Sequence, residues 1–266
     1  MPSCHRGQTV LSRLLNPRLL KTRLLKPRRQ SPPPEPLTDQ PKATNDTIDF
    51  VRPYTMTSAE RIAALCQAVV HVERWQVPGD IVECGVWKGG SMMAAAITLK
   101  EYSTSRSLYL YDTFDGMSPP THLDSEASSG RTAQELLDST EKDSCLWAIS
   151  PLEEVKFNMA RVGYPSRHIH YVKGKVEDTI PGNMPNAIAL LRLDTDWYES
   201  TKHELTHLWP LLSPNGILII DDYGYWAGAR KAVDEFFDAT PVFLHRIDFT
   251  GRLVVKPPAA RPLPRI

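Results

Sequence analysis

Acidic side chains with the spacing of a metal site follow two apolar runs in the second half of the chain. LRLDTDWYES carries Asp194 and Asp196, and LIIDDYG carries Asp221 and Asp222. Clustered carboxylates repel one another at low effective dielectric, and without a cation some would be protonated. Oxygen-only ligands favour Mg²⁺, or Mn²⁺ in its place. We therefore expect a divalent cation here, with a carboxylate not committed to it acting as general base; the alternative is that these residues cap helices.

A glycine-containing loop follows the first apolar run of the folded region. In IVECGVWKGGS, Glu83 and Gly85 lie at the end of the run, and Gly89 and Ser91 precede an apolar helix. The spacing is not G-x-G-x-x-G, so it matches a nicotinamide or flavin site poorly. An acidic residue here suits an amine-bearing ligand such as S-adenosylmethionine better than a diphosphate. Asp112, at the end of SLYLYD, is placed to bind a ribose diol, or else to cap a helix.

The elements that position these residues alternate along the chain. Short apolar runs typical of buried strands recur as DIVECG, SLYLYD, HIHYVKG, AIALLRLD and GILIIDD, with room for a helix between them. TSAE predicts a capping box at Thr57, opening a helix that runs to about Trp75. VFLHRIDF and RLVVK, joined at Thr250-Gly251, predict a closing hairpin in which Gly251 takes a positive φ. The pattern predicts an α/β fold with a doubly wound, mostly parallel seven-stranded sheet and a C-terminal antiparallel hairpin.

The composition argues against a nucleic-acid-coating protein and against a membrane-spanning one. The 266 residues include 31 Lys+Arg and 31 Asp+Glu, so a protein that coats nucleic acid is not expected. No apolar run approaches the roughly 20 residues of a membrane-spanning helix. The four cysteines form no C-x-x-C pair. A reducing compartment, and hence a cytoplasmic location, is the expectation.

The first 45 residues differ from the rest of the chain. Residues 1–45 carry nine Lys/Arg, two Asp/Glu and a proline-rich stretch. This composition predicts a disordered basic tail ahead of a folded domain at residues 46–266. An organelle-targeting segment is the alternative, since arginine-rich starts also occur in transit peptides.

Several ordered motifs together resemble one enzyme family. The motifs are GVWKGGS, YDTFDGM, GKVEDTIP, LRLDTDWYEST and IIDDYGYWAGARKAVDEF. They resemble the sugar O-methyltransferases of macrolide and aminocoumarin biosynthesis, the macrocin, mycinamicin and novobiocin group, across residues 50–256. The resemblance implies a class I methyltransferase that uses S-adenosylmethionine and Mg²⁺. Its acceptor would be a small molecule, a sugar or glycosylated natural product with a vicinal diol, and a homo-oligomer is left open.

The resemblance also assigns roles by position. It implies that the metal ligands are Asp194, Asp221 and Asp222 and that the general base is Asp196. The implied cofactor contacts are Glu83, Gly85, Gly89, Ser91, Asp112 and, on the adenine side, Asp178.

Three other interpretations stay open at this point. The acceptor could be a non-sugar diol or a catechol, because chelation needs only two neighbouring oxygens. A catalytically silent binding module is a remote alternative. His203, Glu204 and His207 match H-E-x-x-H, the pattern of a zinc peptidase, but no third ligand follows at a recognisable spacing. An ordinary helix with two partly exposed histidines is the favoured interpretation of that segment.

Overall fold

The computed structural model describes residues 36–102, 106–142 and 144–258. The helices are α1 (Lys42–Val51), α2 (Ala59–Arg74), α3 (Gly90–Lys100), α4 (Ala133–Asp138), α5 (Leu152–Ala160), α6 (Val176–Thr179), α7 (Tyr198–Leu208) and α8 (Ala227–Phe237). The strands are β1 (Asp80–Cys84), β2 (Leu108–Asp112), β3 (Ile169–Lys173), β4 (Ile188–Leu193), β5 (Leu212–Ile220), β6 (His245–Arg246) and β7 (Arg252–Val255).

Most of the predicted basic tail lies outside the described residues. Helix α1 begins at Lys42, so the domain start predicted at residue 46 falls inside this helix. No helix in the described ranges is long and apolar enough to cross a membrane.

The strands form one sheet in the order β3-β2-β1-β4-β5-β7-β6. The first five are parallel, whereas β7 runs antiparallel to both β5 and β6. The predicted seven-stranded, mostly parallel sheet with a C-terminal antiparallel hairpin is confirmed.

Helices cover both faces of the sheet, which explains why its central strands are apolar throughout. Successive strand residues face opposite layers, so Ile81 packs in one cluster with α2 and α3 residues. Its neighbour Val82 packs in the other cluster, with Leu205 of α7 and Val233 of α8. All six residues of β4 are buried. A strand buried on both faces needs apolar residues at every position, and the one charged residue in β4, Arg192, therefore requires partners.

The register brings the carboxyl ends of β1, β4 and β5 to one edge. Cys84 pairs with Leu193, and Leu193 pairs with Ile220. The amide of Asp194 donates to Cys84 O at 2.8 Å, and the amide of Asp221 donates to Leu193 O at 2.9 Å. The residues that follow these three strands are thus fixed side by side.

The capping residue of α2 is Ser58, and the prediction of Thr57 is wrong by one position. The Ser58 Oγ accepts a hydrogen bond from the amide of Arg61 at 3.1 Å and donates one to Asp248 at 2.8 Å. The hydroxyl of Thr57 instead accepts from the Arg192 guanidinium at 2.8 Å. The buried guanidinium of Arg192 needs oxygen acceptors, so the Thr57 hydroxyl pairs with it and not with the amides of α2.

The hairpin forms as predicted, but the reason given for Gly251 is wrong. Gly251 does not adopt a positive φ. A Cβ at this position would lie 2.7 Å from Cδ of Arg61, so the close approach of that side chain requires glycine. The turn is held by Asp248, whose carboxylate accepts from the amides of Thr250 and Gly251 at 2.9 and 2.6 Å.

Replacing the α2 cap tests this assignment. Ser58→Ala removes the side chain that accepts from the first turn, and we expect the free energy of unfolding to fall by about 1 kcal/mol. Ser58→Thr is the matched control because it keeps a hydroxyl at the cap. Chemical denaturation measures both variants, and equal loss in the two would reject Ser58 as the cap.

Candidate active site

The loop after β1 turns sharply at Gly85. Gly85 has φ +81°, a conformation that side chains disfavour, and a Cβ there would lie 2.0 Å from the carbonyl oxygen of Asp194. Its amide donates to Tyr111 O at 2.9 Å. Glycine at this position therefore lets the loop pass directly over the end of β4.

Asp112 at the end of β2 holds that loop in place. One of its oxygens accepts from the amides of Val86 and Trp87 at 2.7 and 3.0 Å. The other accepts from the amide of Phe114 at 2.7 Å. Asp112 therefore orders the loop whose residues were predicted to bind the cofactor, and the ribose contact proposed for it stays a prediction.

The structure brings the three predicted metal ligands together. Asp194 follows β4, and Asp221 and Asp222 follow β5. One carboxylate oxygen from each lies within 4.8 Å of the other two. Three oxygen ligands at this separation match the donor set of a hard divalent cation.

Part of the negative charge is already compensated by arginine, which the sequence argument did not anticipate. The Arg192 guanidinium donates to Asp194 at 2.7 Å and also to Asp221 and Glu83. Arg61 donates to the second oxygen of Asp221. Asp194 and Asp221 therefore have arginine partners within the protein, in addition to the divalent cation that was predicted.

The remaining carboxylates are less well compensated. Burial and the neighbouring charges of Asp196 and Asp194 hold the pKa of Asp222 well above its usual range. Among the described side chains, Oδ2 of Asp222 is buried without a hydrogen-bond partner. Burial also raises the pKa of Asp221 to about 6, although Arg192 and Arg61 favour its ionised form. Among the three proposed metal ligands, Asp222 is thus the one without an arginine partner in the described contacts.

Asp196 lies next to this group in an unusual backbone conformation. Its φ is +68°, a left-handed value that is uncommon outside glycine and recurs at functional sites. Burial and the charge of Asp194 raise the pKa of Asp196 to about 7. A carboxylate with this pKa can both accept and release a proton near neutrality.

These groups line one cavity of about 620 Å³. This volume falls in the range of small-molecule sites. The predicted site residues on its wall are Gly85, Ser91, Asp112, Asp194, Asp196, Asp221 and Asp222. The aromatic and apolar part of the wall includes Tyr54, Met117, Leu146, Tyr225, Trp226 and Phe249.

Three predicted cofactor residues do not reach the cavity wall. Glu83 is fully buried, and its carboxylate faces Arg192 in the adjacent strand. Gly89 is the residue before α3, where it adopts φ +89°. Asp178 is exposed on α6, whereas Lys175, Val176 and Glu177 of the same segment line the cavity. The assignment of these three residues to the cofactor therefore stays a prediction.

The H-E-x-x-H segment is part of helix α7, as the favoured interpretation predicted. His203 bonds to the carbonyl of Ile180 at 3.1 Å, and His207 to that of His203 at 2.8 Å. Glu204 is buried and accepts from the Thr195 hydroxyl at 3.0 Å. In the described part of the chain, the residues grouped as potential metal ligands are the three aspartates and include neither histidine.

Sequence reasoning missed the two arginines and two segments of the wall. The sequence signal for Arg192 was a single charge inside an apolar strand, since a buried cation must be paired. Arg61 carried no comparable signal because it lies on an amphipathic helix. Residues 54–57 also line the cavity, as do Cys145, Leu146 and Ala148, and no motif assigns a ligand-binding role to either segment.

The fold and the site define a class of protein. A mostly parallel seven-stranded sheet with an antiparallel hairpin, a ligand-sized cavity at the carboxyl ends of its strands and a glycine turn after β1 are the features of a class I methyltransferase. The profile described as Macrocin-O-methyltransferase (TylF) matches residues 20–254. The chain therefore belongs to the macrocin O-methyltransferase family. The match begins well before residue 50, where the recognisable motifs start.

Individual relatives agree with this membership. The chain is 37% identical over 184 residues to 8-demethyl-8-(2,3-dimethoxy-alpha-L-rhamnosyl)-tetracenomycin-C 4'-O-methyltransferase of Streptomyces olivaceus, covering 69% of this chain and 67% of the relative. Demethyldecarbamoylnovobiocin O-methyltransferase of Streptomyces niveus is 33% identical, with the same coverage of both chains. The solved structure of the O-methyltransferase NovP superposes with a TM-score of 0.67 at 29% identity, covering 77% of this chain and 83% of that one. The protein is an S-adenosylmethionine-dependent O-methyltransferase.

The close approach at Gly85 gives a test of the site's architecture. Gly85→Ala would place a Cβ against the backbone of Asp194 and disfavour φ +81°, so we expect a large loss of stability and of cofactor binding. Gly130→Ala is the matched control, because Gly130 also has a positive φ, +72°, but no atom lies within 4 Å of the added Cβ. Thermal unfolding and S-adenosylhomocysteine titration compare the two. Similar losses in both variants would show that the Gly85–Asp194 contact is unimportant.

Proposed function

We propose that the protein transfers the methyl group of S-adenosylmethionine to a hydroxyl of a sugar or glycosylated natural product, with the help of Mg²⁺. The observation that carries this proposal is the meeting of Asp194, Asp221 and Asp222 in the same cavity as the glycine turn and Asp196. Methyl donor, metal and acceptor hydroxyl would then all be bound at one edge of the sheet.

The residues that would hold the cofactor lie at the ends of β1, β2 and β3. Gly85, Ser91 and Asp112 line the cavity there, and the segment at Lys175–Glu177 closes the same side. When bound, S-adenosylmethionine supplies an electrophilic methyl group. The task of the chain is to hold this group and the acceptor hydroxyl in line, and such positioning contributes up to roughly 7–11 kcal/mol in favourable cases.

The residues that would hold Mg²⁺ are Asp194, Asp221 and Asp222. Their fit to a cation is supported by the 4.8 Å limit on their mutual oxygen distances and by the unpartnered Oδ2 of Asp222. Burial, together with the nearby negative charges of Asp196 and Asp194, raises the pKa of Asp222, and a bound cation would favour its ionised form. When bound, the metal supplies positive charge that favours the ionised form of an acceptor hydroxyl.

Asp196 is the proposed general base. It lines the cavity beside the metal ligands, and its pKa of about 7 suits proton transfer near neutral pH. In this proposal the Asp196 carboxylate would accept the proton of the acceptor hydroxyl as that oxygen forms its bond to the methyl carbon. The bond between the methyl carbon and the sulfonium sulfur would break in the same step, leaving S-adenosylhomocysteine.

The aromatic part of the wall supports a ring-shaped acceptor. Tyr225 and Trp226 have ring centroids 5.0 Å apart, and Phe249, 61% exposed, extends this surface. Aromatic faces are suited to packing against the apolar faces of sugars and fused rings. The names of two relatives specify a rhamnosyl-tetracenomycin and a novobiocin precursor as their acceptors. A non-sugar diol or catechol would also satisfy the acidic site, and a silent binding module would show no turnover.

The proposal is tested with labelled S-adenosylmethionine and a panel of acceptors. We expect methyl transfer to glycosides that carry a free vicinal diol, loss of transfer after treatment with a chelator, and recovery on adding Mg²⁺. Matched aglycones and simple catechols are the control acceptors. Turnover that survives chelation would contradict the metal, and transfer to catechols alone would contradict the sugar acceptor.

Substitution of the proposed base separates chemistry from binding. Asp196→Asn keeps the shape of the side chain but cannot accept the proton, so turnover should fall by about 10²–10⁴-fold while cofactor affinity is retained. Asp238→Asn, at an exposed position after α8, is the control. Single-turnover rates and calorimetric titration measure the two effects. Near-normal turnover by Asp196→Asn would remove Asp196 from this role.

A further inference from the structure

Arg192 occupies the centre of the acidic site without lining the cavity. It lies on the central strand β4, where its backbone pairs with Glu83 of β1 and Ile219 of β5. It is 2% exposed. A fully buried guanidinium stays charged, so its position is stable only if carboxylates and other acceptors surround it.

The guanidinium divides its donors among four acceptors. One terminal nitrogen donates to Glu83 and to Asp194 Oδ2, the latter at 2.7 Å. The other donates to Thr57, at 2.8 Å, and to Asp221 Oδ1. A planar group with fixed donor directions can hold two carboxylates in a defined relation, which a lysine ammonium cannot do.

Arg61 extends the same arrangement on the other side of Asp221. Its terminal nitrogen donates to Asp221 Oδ2, and its Nε donates to Asp248 at 3.0 Å. Asp248 also accepts from Ser58 at the start of α2. The carboxylate of Asp221 is therefore held through both of its oxygens by side chains from a helix and a strand.

We infer that Arg192, together with Arg61, is a positioning residue that fixes Asp194 and Asp221 in the arrangement in which they bind the cation. The inference rests on the proposed function, because it assigns a role toward the Mg²⁺ proposed there. Each arginine orients its carboxylates before any cation is bound, so the chain does not have to reorganise the buried Asp221 and the partly buried Asp194 on binding. Loss of a residue that hydrogen bonds to a metal ligand typically changes metal affinity by about 10–100-fold.

The test uses a substitution that keeps the charge and removes the geometry. In Arg192→Lys the cation remains, so a change in metal affinity reports orientation and not net charge. Mn²⁺ is the probe, titrated into the purified full-length protein while the electron paramagnetic resonance signal of free Mn²⁺ is recorded. We expect the Mn²⁺ dissociation constant to rise by about tenfold or more. Affinity for S-adenosylhomocysteine, measured by calorimetry, should stay the same.

Arg106→Lys is the matched control. Arg106 is also a largely buried arginine paired with a glutamate, Glu73, but it precedes β2 and donates to Gly79 O at the opposite edge of the sheet. A general loss of stability from exchanging a buried arginine for lysine would appear in both variants. Only Arg192→Lys should weaken Mn²⁺ binding.

Each outcome decides a different point. Wild-type Mn²⁺ affinity in Arg192→Lys would overturn the inference and leave the proposed function intact. If Arg192→Lys does not fold, Arg61→Lys decides by the same criterion, since it loosens Asp221, together with Asp248, and leaves the contacts of Asp194 with Arg192 in place. Failure of the wild-type protein to bind Mn²⁺ or Mg²⁺ would overturn the metal part of the proposed function, and the inference with it.

Discussion

The ion pairing around Arg192 is the interaction on which the rest of the site depends. Carboxylates at the ends of β1, β4 and β5 are brought together by the register of the sheet, and bringing buried like charges together costs free energy. A guanidinium placed on the central strand reaches Glu83, Asp194 and Asp221 at once. Without that cation the acidic edge would be incompatible with a core that is apolar on both faces.

Arginine compensates the negative charge of some of the clustered aspartates and not of others. This difference separates the aspartates that stabilise the fold from those available for binding and proton transfer. Asp194 and Asp221 accept from arginine, so part of their charge belongs to the fold. Asp196 and Asp222 have no arginine partner among the described contacts, and burial raises the pKa of both. Protons and cations would therefore compete for the Asp196 and Asp222 side of the group. In the proposed reaction that is the side where the acceptor hydroxyl is bound and gives up its proton.

The sequence predicted the sheet and the meeting of the aspartates because both follow from patterns that extend over several residues. Apolar runs identify buried strands, and the carboxyl ends of parallel strands share one edge. Single-residue contacts were less predictable. Thr57 was expected to cap α2 because its spacing to Glu60 fits a capping box, yet the need of a buried cation from another strand decides its partner. Glu83 was assigned to the cofactor for its position in the loop, and the same cation accounts for its orientation into the sheet.

Arg192 is a sequence signal from which the arginine pairing of the acidic group could have been predicted. It is the one charged residue in IALLRL, and a lone charge in a strand buried on both faces implies acidic partners at neighbouring strand ends. Those partners were already in view as Glu83, Asp194 and Asp221. The clustered carboxylates do require positive charge nearby, and arginine supplies part of it.

Helix α7 also stabilises the loop that follows β4 and carries Asp194 and Asp196. Thr195 lies between the proposed metal ligand Asp194 and the proposed base Asp196, and its hydroxyl donates to Glu204 at 3.0 Å. Burial raises the pKa of Glu204 well above its usual range. The glutamate of the H-E-x-x-H segment therefore holds the loop from Asp194 to Asp196 through Thr195, while the two histidines bond to the backbone carbonyls of Ile180 and His203. Because φ of Asp196 is +68°, the loop adopts a conformation that its own sequence does not favour, and contacts such as this one must hold it there.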